Sequence, residues 1–226
     1  MYKQRSIIIS AKRVQTSDHA ERISALDSIS SLFGEDYANH IRKKAPRAQD
    51  ESITGALLLA DMLKQQNIYG GKILFTSLGK PYFDTEKAHF SISHDGGLCV
   101  CALSQNIKIG IDLMRLPPRL DADGRRKFAA RCFTDAEAQR LASENDLELF
   151  ASFWTRREAI GKLTGEGVSA FLRKPIPQSK YRYEEFCLQG GEELGFVTLC
   201  HNGSEQTQIL TLNSSLTLTK YPLEQY

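Results

Sequence analysis

The sequence predicts an α+β protein made of two similar lobes, each a small antiparallel sheet packed with helices. Helical periodicity followed by a run of short strands occurs twice along the chain, which suggests a pseudo-duplication. The dipeptide Pro117-Pro118 falls between the two runs, where neither residue can donate to a sheet or continue a helix. A hydrophobic content of 41% and a charged content of 25% over 226 residues describe an ordinary globular chain, long enough to bury a core. The boundary is set at 116, giving an N-terminal lobe of residues 1–116 and a C-terminal lobe of residues 117–226.

The elements follow in order. Residues 6–10 read as a strand around Ile7, Ile8 and Ile9. Asp18 is an N-cap for a helix in which Ala20, Ile23, Leu26, Ile29, Leu32 and Phe33 keep a helical rhythm until Gly34. A basic patch of Arg42, Lys43, Lys44 and Arg47 surrounds Pro46, and a helix over 49–66 carries Ile53, Leu57, Leu58, Met62 and Leu63 on one face. Strands are expected at 72–76, 89–93, 98–104 and 108–114. Past the prolines, helices are expected at 123–131, 135–143 and 146–164, and strands at 181–188, 193–200 and 208–220.

Charge and composition remove several functions. A net charge of +2 implies no general attraction to nucleic acid or to a membrane surface. No apolar run approaches the roughly 20 residues that span a bilayer, and Ile7–Ile9 is too short an apolar block for a signal peptide. The five cysteines are odd in number and form no Cys-x-x-Cys pair. Cys99 and Cys101 alternate on one strand and should share a core face. A cytoplasmic protein with reduced thiols is the expectation. No P-loop, kinase glycine-rich loop or clustered His/Cys metal spacing occurs.

Four segments carry candidate chemistry. In Phe153–Gly165, Glu158 and Lys162 stand four residues apart on a helix and share a face, with Trp154 one turn earlier. A carboxylate that can hold a metal beside an ammonium that can meet a phosphate suits phosphoryl-group chemistry. The same pair is also an ordinary solvated helix ion pair when nothing else accompanies it. Ile109–Met114 is an apolar strand interrupted by Asp112, a carboxylate that is costly to bury unless a cation or donors compensate; pairing with an arginine at a strand end is the other reading. Ala88–Gly97 brings Ser93-His94-Asp95 to a glycine turn, and Gly79–Phe83 presents Lys80.

In this order and spacing, from about Gly79 to Gly167, the four segments resemble the Sfp-type 4′-phosphopantetheinyl transferases. The resemblance implies a two-lobed fold with coenzyme A bound between the lobes. It also implies Mg2+-dependent transfer of the 4′-phosphopantetheine arm to a serine of an apo acyl, peptidyl or polyketide carrier protein. The products would be holo carrier and 3′,5′-ADP, and the protein a monomer.

Under that resemblance Asp112 and Glu158 are metal ligands, and Glu158 is also placed to take the serine proton. Lys162 contacts the pyrophosphate and helps the leaving group depart. His94 contacts a coenzyme A phosphate with Ser93 assisting, and Lys80 lies on the nucleotide side. Trp154 is read as support. Arg157 stands where the family commonly has a lysine, with a solvated helix face as the alternative. Arg42, Lys43, Lys44 and Arg47 are candidates for the 3′-phosphate, and Glu51 falls where many relatives carry an arginine. Met114 replaces an acidic ligand that many bacterial relatives place two residues after the strand aspartate, and a thioether is too soft for magnesium. Asp95 is the expected substitute. The missing ligand keeps a second reading open, a coenzyme A or carrier-protein binding module that has lost catalysis.

Overall fold

The computed structural model describes residues 6–85, 87–144, 146–212 and 216–221. The chain opens with strand β1 (Ser6–Arg13) and helix α1 (His19–Phe33). The side chain of Asp18 caps the Glu21 amide while Glu21 reaches back to the Asp18 amide, a reciprocal cap that fixes where α1 begins. Helices α2 (Glu35–Arg42) and α3 (Pro46–Gln65) follow, with Pro46 at the first turn of α3, where a missing amide hydrogen costs nothing. Next come strands β2 (Ile73–Phe75), β3 (Pro81–Phe83), β4 (His89–Asp95), β5 (Leu98–Ser104) and β6 (Ile109–Leu116).

Beyond Pro117-Pro118 lie helices α4 (Ala122–Cys132), α5 (Asp135–Glu144) and α6 (Leu147–Thr164) and a short 3-10 turn at Val168–Phe171. Strands β7 (Arg182–Gly190), β8 (Glu193–His201), β9 (Gln208–Thr211) and β10 (Thr217–Lys220) complete the described chain. Among the described residues no helix is long and apolar enough to cross a membrane.

The strands form two four-stranded sheets, ordered β4-β5-β1-β9 and β10-β7-β8-β6, beside a small β2-β3 hairpin. This is the α+β class with two sheet-and-helix units that the sequence implies. Inner faces of the sheets meet through Ile7, Ile9, Val100, Ile111, Leu113, Val197 and Leu199, all buried. Helices α1 to α3 cover the outer face of the first sheet, where Cys99 and Cys101 are buried together. Helix α6 covers the second through Ala159, Ile160 and Leu163 against Tyr183 and Cys200.

Hydrogen bonding does not divide the chain at 116. Strand β6, before that point, pairs with β8, while β9, after it, runs parallel to β1. The single strand expected at 208–220 is instead two strands in different sheets; its central residues 213–215 lie outside the described residues. Two elements have no counterpart in the sequence reading. Helix α2 covers residues to which the sequence assigns no element, ending where the basic patch begins, and β3 lies within the segment that presents Lys80.

A seam joins the sheets where edge strands β4 and β6 run side by side. Alternate side chains of β4 accept hydrogen bonds from alternate amides of β6: Ile111 N donates to Ser91 Oγ (3.0 Å), Leu113 N to Ser93 Oγ (3.3 Å) and Arg115 N to Asp95 Oδ2 (3.0 Å). The period of two belongs to the pleat, so these three residues face one way. Polar side chains thus satisfy edge amides that would otherwise be left unpaired at the junction.

Candidate active site

Gly110 sets the site. A Cβ at this position would collide with the Ala159 carbonyl, so the backbone of α6 lies directly on β6 there. Two residues further, Asp112 points from the same face of β6 toward α6, which presents Glu158 and Lys162 one turn apart. Helix α6 then stops at Gly165, whose left-handed φ of 81° suits glycine.

Asp112 is 5% exposed, and its charge is met by two donors. Lys162 Nζ lies 2.7 Å from Asp112 Oδ1, and Ser93 Oγ donates to the same oxygen at 2.8 Å. Lys162 also donates to Ser93 Oγ at 2.8 Å. With the Leu113 amide on it as well, the Ser93 hydroxyl donates once and accepts twice, which is its full capacity. Burial raises the affinity of Glu158 for its proton, the negative charge of Asp112 raises it further, and Lys162 opposes both.

These groups border a cleft of about 350 Å³ between α2, α3 and β4 on one wall and α6 on the other, with Lys44, Lys80, His94, Glu158 and Lys162 among its lining. Lys80 Nζ donates to the Leu163 carbonyl at 2.8 Å, capping the end of α6. Burial, aided by the positive charge of Lys108, lowers its pKa to about 8. Burial lowers the pKa of His94, opposed by Glu51, whose Oε2 lies 3.2 Å from His94 Nδ1. Lys44 donates to Ser52 Oγ at 2.8 Å, and burial lowers its pKa too.

Glu158, Lys162 and Asp112 therefore come together, and His94 and Lys80 share their cleft. Ser93 does not face the cleft beside His94. Successive side chains of a strand point to opposite faces, so its hydroxyl turns to Asp112 and Lys162. Of the basic patch, Lys44 alone is among the cleft's described lining residues. Arg42 is engaged by Glu35 (2.5 Å) and Asp27 (3.2 Å), and Arg47 lies 3.7 Å from Glu51.

Two expectations are corrected. Asp95 does not join Asp112 and Glu158: its carboxylate holds the Arg115 amide and sits 3.5 Å from Arg119. Among the described residues no three His, Cys, Asp or Glu side chains gather as metal ligands. Arg157 is neither on a solvated face nor at the cleft. It is fully buried, bonded to Glu137 (2.5 Å) and to the carbonyls of Phe153 and Lys174. Met114 packs with Trp154 and Phe128 against the α4–α6 apolar cluster, which accounts for a thioether at that place.

The sequence reading missed the bridging role of Ser93, the Glu51–His94 pair and the singling out of Lys44. For Ser93 a signal existed: Ser91, Ser93 and Asp95 alternate with Phe90, Ile92 and His94 along one strand. The pair of Glu51 and His94 joins distant segments and left no local pattern.

The family model of the 4′-phosphopantetheinyl transferase superfamily matches residues 108–207. That span includes Asp112, Glu158 and Lys162, while Lys80, Ser93, His94 and Asp95 precede it. Similar proteins carry the same description. A Synechocystis sp. protein provisionally named a 4′-phosphopantetheinyl transferase is 32% identical over 67% of this chain and 65% of its own. The 4′-phosphopantetheinyl transferase HetI of Nostoc sp. is 34% identical over 43% of each. The 4′-phosphopantetheinyl transferase Sfp of Bacillus subtilis is 29% identical over 57% of this chain and 60% of its own. The chain thus spans less than two thirds of the length of each of these relatives.

Proposed function

We propose, on the premise that this chain is a relative of the 4′-phosphopantetheinyl transferases, that it moves the 4′-phosphopantetheine arm of coenzyme A onto a serine hydroxyl of an apo carrier protein. The observation that carries this reading is the meeting of Asp112, Lys162 and Glu158 at the edge of a cation-lined cleft. Such a cleft suits a polyanion, and the carboxylates suit a hard cation.

The donor set fits magnesium. Two carboxylates sit close enough that the charge of one raises the proton affinity of the other, and a divalent cation would relieve that repulsion. Magnesium takes few carboxylates and completes its shell with phosphate oxygens and water. Asp112 and Glu158 would hold it, with water in place of a third protein ligand. When bound, the ion supplies charge neutralisation at the pyrophosphate.

The rest falls to the chain's own residues. Ser93 holds Asp112 and Lys162 in register, so the ammonium is already aimed when substrate arrives. Lys162 donates to the oxygen between the phosphates as the bond to 3′,5′-ADP breaks, where negative charge grows. Glu158, with proton affinity raised by burial, takes the proton of the incoming serine as its oxygen attacks phosphorus. His94 and Lys44 bind the nucleotide portion from the facing wall, and Lys80 closes its side. One chain provides both walls, so a monomer suffices, acting in the cytoplasm where coenzyme A is available.

The test is the intact mass of an apo carrier protein after incubation with the protein, Mg2+ and coenzyme A. A gain of one phosphopantetheine group supports the reading. An unmodified carrier in a mixture where coenzyme A binds would favour a binding module without catalysis.

A further inference from the structure

The wall opposite Asp112 contains an anion that the proposed chemistry does not use. Glu51, on α3, has a side chain only 16% exposed, and its Oε2 lies 3.2 Å from His94 Nδ1. Its charge acts on both His94 and Lys44, which together with His40 are the cleft-lining bases of that wall. The other cleft cations are committed elsewhere: Lys162 to Asp112 and Lys80 to the Leu163 carbonyl.

Coenzyme A carries its reacting pyrophosphate and a separate phosphate on the ribose. If the pyrophosphate lies at Asp112, Glu158 and Lys162, the ribose phosphate has Lys44, His94 and His40 left to bind it, and two of these feel the charge of Glu51. The Glu51 carboxylate beside His94 sets a negative charge next to the place where a dianion would settle, and like charges at such distance are costly in a half-buried site. An unpaired anion here would also be unfavourable without ligand, and Arg47 at 3.7 Å together with His94 at 3.2 Å explains why Glu51 can stay.

We infer that Glu51 is a specificity-determining residue that weakens recognition of the ribose 3′-phosphate, so that the protein uses dephospho-coenzyme A nearly as well as coenzyme A. This rests on the transferase reading. It concerns which donor is chosen, and leaves the step itself unchanged: the serine oxygen displaces the nucleotide from phosphorus, and the leaving group is 5′-AMP when the 3′-phosphate is missing.

The experiment compares kcat/KM for coenzyme A and for dephospho-coenzyme A in the wild type and in Glu51→Gln, with thermal unfolding to verify the fold. Calorimetric binding of 3′,5′-ADP and of 5′-AMP gives a readout free of turnover. The wild-type preference for coenzyme A should be under about tenfold, and Glu51→Gln should raise it by about a further tenfold, the effect of one charge worth roughly one pKa unit. The variant should tighten 3′,5′-ADP and leave 5′-AMP unchanged. An unchanged preference, or equal tightening of both nucleotides, overturns the inference while carrier modification continues. If no carrier is modified with either donor, the transferase reading fails and takes the inference with it.

Discussion

The Lys162 ammonium lies 2.7 Å from the Asp112 carboxylate although 50 positions separate them in the chain. The contact depends on Gly110, where β6 lets α6 approach at backbone distance, and on Ser93, which touches both groups. The α6 ammonium is thereby fixed against the β6 carboxylate before any substrate is present. Preorganisation of this kind lets a charge act in the transition state without first being reoriented.

Lys162→Ala should lower kcat more than it raises KM for coenzyme A. In the proposed mechanism the leaving-group charge that Lys162 meets grows only in the transition state, and the loss should be about a hundredfold or more. Steady-state kinetics on coenzyme A check this; a change confined to KM would assign Lys162 to ground-state binding.

Asp95→Ala should leave the Mg2+ concentration for half-maximal transfer unchanged, because its carboxylate serves the Arg115 amide and Arg119. It should instead destabilise the seam between β4 and β6 by about 1–2 kcal/mol, the loss of a hydrogen bond to a charged acceptor. A magnesium titration shifted to higher concentration would return Asp95 to the metal.

The way Asp95 was misplaced shows what a sequence can and cannot convey. The strands and helices around the site are legible because Phe90 and Ile92 alternate and because Asp18 and Gly34 punctuate a helix locally. Asp112 stood out as a carboxylate in an apolar strand, and Glu158 and Lys162 as neighbours on one helix face. Asp95 followed His94 in a motif, and a motif does not say toward which face a side chain turns. The ladder that Ser91, Ser93 and Asp95 of β4 make with the amides of β6 is a contact between sheets, set by tertiary packing. For the same reason the buried state of Arg157 was hidden, since its partner Glu137 lies on another helix. Helix α2 was obscured by its charges: only Tyr37, Ala38 and Ile41 are buried in it.

Arg156→Met should destabilise the fold by about 3–5 kcal/mol, because it strands a buried charge. Glu185 is fully buried and takes its bonds from Arg156 (2.7 and 3.0 Å) and Ser152 (2.6 Å), tying α6 to β7. Urea unfolding measures the effect, and a loss under 1 kcal/mol would show that the pair is dispensable.

Lys80 gives a pH signature. Its pKa of about 8 in the folded protein lies below the ordinary lysine value of 10.5, so the unfolded chain holds the proton more tightly. Between about pH 8 and 10.5 unfolding takes up a proton, and the contribution of Lys80 to stability therefore rises with pH across that window. The unfolding free energy of the wild type should gain on that of Lys80→Met from pH 8 to 10. A difference that is flat or falls with pH would contradict the lowered value.

The central claim is that transfer occurs at the junction of Asp112, Glu158 and Lys162. Its most direct test is single-turnover transfer from coenzyme A to an apo carrier protein, followed by intact mass, in the wild type, Asp112→Asn and Glu158→Gln, with circular dichroism to verify each fold. The wild type should add one phosphopantetheine group, and each variant should be slower by about a thousandfold or more, as expected when a charge needed in the transition state is lost. A folded variant that transfers at close to the wild-type rate would place the chemistry elsewhere.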